Sequence, residues 1–250
     1  MALAAAIAEV GEADACMALL GNSGAEIASL SFRRMAERLG HVAALREAML
    51  ADRRMPPDCR HLLLVKVGEA LKQSPLVVAL MGAARAERIA REACVKASIT
   101  LIERTHMDEH GALVEHLRLR GDLTPSFVVR AVAHGKVDFF GSVLVALTGQ
   151  GAARVTALLS GGKDVALAAL FRSAGLAPAT HCVILRALKV WREVARGKRV
   201  AGPQEVTWLM LEELGDPPGD ADLAGLLKSM HLDAHVFDVL GRALAEAARS

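Results

Sequence analysis

The stretch GDLTPSFVVRAVAHG, Gly121 to Gly135, decides the fold. Thr124 offers a hydroxyl oxygen to the first N–H groups of a helix. Pro125 follows at the one helical position where a missing N–H costs nothing. An apolar run then continues until Gly135, and Gly121 closes the segment before. Glycine tolerates the left-handed backbone that ends a helix, so both suit C-terminal stops. The stretch predicts one short helix bounded by sequence signals on both sides.

The same grammar extends along the chain. Pro56-Pro57-Asp58 is a break and cap, and Ser74-Pro75 repeats the cap-then-proline start. Ser23 with Glu26 reads as a capping box opening a helix over Ala25–Leu39, which Gly40 ends. Ala83–Thr105 is a long amphipathic helix with Ile89, Ala93, Ala97, Thr100 and Leu101 on its predicted apolar face. Val137–Leu147, Ala152–Leu159 and Lys163–Ser173 are separated by glycine turns. Pro178 opens a helix that Gly197 stops, and Pro203 opens another to Leu214. After the loop Gly215–Asp220, two last helices are expected. Leu76–Leu80 is the best strand candidate, but it directly follows a helix start. The chain therefore reads as all-α. It is built of stacked helical hairpins, as a HEAT- or armadillo-like array or an irregular helical bundle without a strict period. The expected organisation is N-terminal helices over 1–57, a central helical domain over 58–197, and acidic C-terminal helices over 203–250 packed on the body.

Of 250 residues, 53% are hydrophobic and 23% charged, which excludes disorder as the main state. Tyrosine is absent and aromatics are 3%, so the core must be aliphatic, with Phe139 and Phe140 as anchors. Met1–Ala8 carries no positive residue, and Glu9 and Glu12 follow, unlike a secretory signal. The longest uncharged stretch, Phe139–Ala153, is too short and too glycine-broken to span a bilayer. Cys16, Cys59, Cys94 and Cys182 form no CxxC pair and read as buried thiols. These features predict a cytoplasmic protein with no membrane partner.

Gly121-Asp122-Leu123-Thr124-Pro125, then Arg130-Ala131, Gly135 and Phe139-Phe140, form a phrase. Arg154-Val155, Leu158-Leu159 and Ala174-Gly175-Leu176 continue it. The set resembles the bacterial family known as domain of unknown function 2336, most clearly from about Arg60 to Val194. The resemblance implies a cytoplasmic, all-helical bacterial protein, and it supplies no catalytic residues.

Motifs for chemistry are sparse. His106-Met107-Asp108-Glu109-His110 matches H-x-x-E-H, and His231 and His235 form a second i,i+4 pair. The first sits where a long helix ends, with Gly111 behind it, and nothing downstream marks a third ligand. With nine histidines, chance pairs are expected. Gly161-Gly162-Lys163 lacks the glycines of a P-loop, and Gly149-Gln150-Gly151 lacks the third glycine of a dinucleotide fingerprint. The reading is of no enzyme, no catalytic residue, no metal and no cofactor.

Charge is more informative. Residues 151–200 hold nine Lys/Arg against two Asp/Glu, and residues 201–250 hold three against nine. On the helix 178–196, Arg186, Lys189, Arg192 and Arg196 fall on one side, opposite Val183, Ala187, Val190, Trp191 and Val194. These four cations are the candidate binding residues. Leu209, Leu214, Leu223, Leu226, Leu227, Val236, Val239, Leu240 and Leu244 give the acidic segment an apolar face. It should therefore fold back, bringing Glu205, Glu212, Glu213, Asp216, Asp220 and Asp222 near the stripe. The expected function is a non-enzymatic protein-interaction scaffold or regulatory adaptor whose partner has an acidic surface. The alternative is a nucleic-acid-associated regulator using a helix-turn-helix-like hairpin at 140–160 and the basic helix.

Overall fold

At the centre of the chain the caps form as read. The Thr124 hydroxyl oxygen accepts the Phe127 N–H at 3.2 Å, with Pro125 in the first turn. Gly135 sits at φ +74°, and its N–H reaches the Val132 carbonyl at 3.0 Å while Lys136 N–H reaches Ala131 at 3.0 Å. This pair of bonds satisfies two carbonyls at the helix end. The same pair recurs at Gly121, Gly175 and Gly197, each at positive φ.

The computed structural model describes residues 2–215 and 221–247, with side chains through Ala234. Among the described residues the chain is helical with no strand. The α-helices are α1 (Ala2–Val10), α2 (Ala13–Gly21), α3 (Ser29–Leu39), α4 (Ala43–Ala51), α5 (Pro57–Gln73), α6 (Pro75–Met81) and α7 (Ala83–Arg104). A 3₁₀ turn, Met107–Glu109, precedes α8 (His110–Arg120). Then come α9 (Pro125–Ala133), α10 (Val137–Thr148), α11 (Ala152–Gly161), α12 (Asp164–Ser173), α13 (Pro178–Ala195), α14 (Pro203–Leu214) and α15 (Ala221–Ala247). They group into two units, Met1–Leu113 and Val114–Ser250. Helix α5 closes the N-terminal core: Cys59, Leu62 and Leu63 pack with Cys16, Phe32, Met35, Leu45 and Met49.

In the first unit, α5 and α7 pack closely through small residues. A Cβ on Gly68 would lie 2.3 Å from Cys94 Sγ, and Ala86 and Ala90 are buried on the same helix face. This corrects the predicted face of α7. Leu101 is buried, but Ile89, Ala93 and Thr100 are exposed, while Ala86, Ala90, Ser98 and Ile102 turn inward. A β-branched side chain at the crossing would hold the helices apart, so the small residues take it.

The second unit is organised by rings. Phe127 meets Phe139 edge-on at 6.3 Å, Phe140 meets Phe171 at 5.6 Å, and Phe171 meets His181 at 5.7 Å. Trp191 Nε1 donates to the Val132 carbonyl at 2.8 Å, fastening α13 to the end of α9. Its ring lies where a Cβ on Gly135 would come within 3.2 Å. The acidic segment does fold back: α14 packs on α13 and α15 on α14, burying Val206, Met210, Leu223, Leu227 and Met230.

Three local expectations change. Ser23 and Glu26 cap no helix, because α3 starts at Ser29. The Ala25 carbonyl instead accepts Arg54 Nη1 at 3.0 Å, which holds the loop open. Leu76–Leu80 lies inside helix α6, as its Ser74-Pro75 start implies. One helix, α15, stands where two were expected. Asp216 and Asp220 lie outside the described residues, as do the side chains of Val236, Val239, Leu240 and Leu244.

Two outcomes follow from this packing. Gly68→Ala should destabilise the chain by about 1–3 kcal/mol through overpacking. Cys94→Ala in the same chain should restore most of that loss, since the obstructing atom is Sγ; urea denaturation of the single and double variants reads the coupling. The Cys59 thiol is pushed up to about 12 from 9.0, first by burial and then by the Asp58 charge. The unfolded chain therefore ionises this group first, so its contribution is full below pH 9 and is lost between pH 9 and 12. The urea midpoint of the wild-type chain should fall more steeply from pH 8 to 10.5 than that of Cys59→Ala.

Candidate interaction surface

Helix α13 buries Val183, Ile184, Ala187, Leu188 and Val190, with Trp191 and Val194 half-buried at the margin. Its four candidate cations do not act alike. Arg192 Nε, Nη2 and Nη1 donate to the carbonyls of Leu159, Leu158 and Gly162 at 2.6, 2.8 and 3.3 Å. Arg196 Nη2 donates to Ser160 at 3.3 Å. Both therefore cap the C-terminal end of α11, which has no basic residue in its own last turn. Burial lowers the Arg192 guanidinium from its usual range, and the nearby Asp164 charge offsets part of that. Arg186 Nε lies 4.0 Å from Glu213 Oε2 on α14, and Lys189 is exposed. The structure thus divides the stripe: two residues hold α11, one faces the acidic helix, and one is open.

Other cations extend the open part. Arg154 on α11, Lys163 at the start of α12, Arg172 in its last turn and Lys198 are exposed, and none pairs with a carboxylate among the described residues. Across residues 149–198 the acids are Asp164 and Glu193, and Glu193 lies 3.6 Å from Arg199. Arg199 also grips Glu205 at the start of α14, which raises the arginine's pKa and ties down the connector between α13 and α14. The α11–α13 surface keeps a strong excess of positive charge. The candidate residues named from the sequence lie on α13 alone and leave out Arg154, Lys163, Arg172 and Lys198. The charge count over residues 151–200 already points to the wider surface, and the named stripe covers only its α13 part.

His106 is extended at φ −69°, ψ 151°, and only His110 begins α8, so the pair shares no helical face. No group of three metal-binding side chains occurs among the described residues. His231 Nδ1 lies 3.2 Å from the Gln204 carbonyl and its ring stacks near Trp208, while the His235 side chain lies outside the described residues. The exposed face of α11 offers Arg154, Thr156 and Ser160 among alanines, little for reading base edges. An open groove of about 500 Å³ runs between α2 and α4, lined in part by Met17, Leu20, Ala48, Asp52 and Arg54. Two of its charges are engaged with each other: the Arg54 guanidinium bonds Asp52 and lowers that carboxyl, and it also holds the Leu20, Asn22 and Ala25 carbonyls.

The two kinds of arginine and lysine are separable by mutation. Arg192→Ala should cost about 2 kcal/mol, because three carbonyls at a helix end lose a charged donor. Lys189→Ala should stay within about 0.5 kcal/mol, as an exposed substitution. Urea denaturation of both variants measures the difference.

No protein of curated function and no solved structure matches the chain. Residues 1–215 match the family described as uncharacterised protein conserved in bacteria, domain of unknown function 2336. The match extends beyond the stretch where the sequence resemblance is clearest, taking in α1–α4 and α14. With the match spanning well over half of the chain, the chain belongs to this uncharacterised bacterial family.

Proposed function

We propose that the chain is a non-enzymatic interaction scaffold or regulatory adaptor of the bacterial cytoplasm. Its partner is a protein with an acidic surface, and it takes no cofactor. The supporting observation is the set of exposed cations on α11–α13, Arg154, Lys163, Arg172, Lys189 and Lys198, none of which forms an ion pair with a carboxylate among the described residues. A surface with that charge excess attracts polyanionic partners by long-range steering and disfavours basic ones. Arg186, Arg192 and Arg196 support the surface from behind through Glu213 and the end of α11. Helix α14 bounds the surface with acid, so a partner competes with Glu213 for Arg186.

The test is co-purification of the full chain from native bacterial lysate at low and high salt, with nuclease present. A protein partner should be retained at low salt, released at high salt, and lost in Arg154→Glu/Lys163→Glu/Arg172→Glu/Lys189→Glu, whose helix content stays unchanged. If every retained partner disappears on nuclease treatment, the nucleic-acid reading replaces this one. If the charge-reversed chain retains the same partners as wild type, the surface is only a solvated face.

A further inference from the structure

Helix α6 reads PLVVALM, and not one of its seven residues is buried. Leu76 and Leu80, one turn apart, are 69% and 75% exposed, and Leu71 near the end of α5 and Ile89 on α7 are exposed as well. The element is well formed: Val78 N–H bonds the Ser74 carbonyl at 3.0 Å and Gly82 N–H bonds Val78 at 2.8 Å. Gly82 at φ +79° then turns the chain into α7. The sequence thus places a helix without a polar side chain on the outside of the α5–α7 pair. Singly scattered surface leucines need no explanation, but a contiguous apolar helix does.

The surrounding charge selects the occupant. Lys72 ends α5, and Arg85 and Arg88 begin α7; none of the three pairs with a carboxylate among the described residues. The nearby Glu87 is held by Arg91 at 2.9 Å, which leaves Glu69 as the opposing charge. Two copies meeting through this face would bring their cations together, which disfavours self-association. A partner helix needs an apolar groove to lie in, and α6 offers instead a protruding row of leucines on a helix with no buried residue. An anionic lipid surface meets both demands: acyl chains receive the leucines, and headgroup phosphates receive the cations.

We infer that α6 is a membrane-surface contact, inserting Leu76 and Leu80 into the interfacial layer of an anionic bilayer with Lys72, Arg85 and Arg88 at headgroup level. This departs from the expectation of no membrane partner, which weighed only spanning segments. A seven-residue helix is about 10 Å long, a third of a hydrocarbon core, so it lies in the interface and does not cross. No described helix is long and apolar enough to cross a membrane. The inference does not rest on the proposed partner at α11–α13.

The experiment is co-sedimentation of the full chain with vesicles of phosphatidylglycerol and phosphatidylcholine, and with phosphatidylcholine alone. The chain should sediment with the anionic vesicles. Leu76→Glu/Leu80→Glu should weaken that binding at least tenfold with helix content and thermal midpoint unchanged, since both positions are exposed. Lys72→Glu/Arg85→Glu/Arg88→Glu should weaken it too, and added salt should mimic this variant. The inference is overturned if wild type does not sediment with anionic vesicles at low salt. It is equally overturned if the leucine variant binds as wild type while Arg154→Glu/Lys163→Glu/Arg172→Glu/Lys189→Glu does not, for then the α11–α13 cations carry the contact. A wild-type dimer in sedimentation velocity that the leucine variant dissolves would assign the face to a second copy instead.

Discussion

Arginine side chains reaching the carbonyl ends of neighbouring helices hold this protein together. A helix leaves its last four carbonyls without partners, and short helices have proportionally more ends than middles. Several helices here have only nine residues. Arg38 donates to Ala8 and Gly11 after α1, at 2.7 and 3.1 Å. Arg54 serves the end of α2 through Leu20, Asn22 and Ala25, and Arg46 serves the end of α3 through Gly40. Arg60 gathers Leu50, Asp52 and Met55 after α4, and Arg192 gathers three carbonyls after α11. The guanidinium suits this task because its planar fork presents five donors and stays charged when partly buried.

This use of arginine shapes how charge becomes surface. A basic residue that clamps a helix end turns its donors inward, and Arg38, Arg46, Arg60 and Arg192 are half-buried in doing so. Its charge still contributes to the field, but its hydrogen-bonding capacity is taken. On α11–α13, Arg154, Lys163, Arg172, Lys189 and Lys198 clamp no carbonyl among the described residues, stay exposed, and form a surface of one sign. The same division holds in the first unit, where Arg38, Arg46, Arg54 and Arg60 work inward while Lys72, Arg85 and Arg88 flank the apolar α6. Stability and recognition thus draw on the same residue type in two different geometries.

Local signals were legible wherever one or two residues settle the backbone. Thr124-Pro125, Pro178 and Pro203 start helices, and Gly121, Gly135 and Gly197 stop them, because the missing N–H of proline and the missing Cβ of glycine act without help from the rest of the chain. Ser23 and Glu26 failed as a box because Arg54, some thirty residues away, takes a carbonyl of that loop. The buried face of α7 failed because Gly68 on another helix decides how close the two approach. Helical period alone sets Arg186, Lys189, Arg192 and Arg196 opposite the apolar side of α13, yet nothing local reveals that the end of α11 lies beneath Arg192.

By itself, then, the sequence determined that the chain is all-helical, where most helices begin and end, and that its basic and acidic halves should meet. Each of these follows from dihedral preferences and periodicity within a few residues. Tertiary structure alone decided which arginines are clamps and which are open, that α5 closes the first core, and that α6 keeps its leucines outside. Those outcomes depend on which helix end comes within reach of which side chain, a distance fixed by packing between segments far apart in the chain.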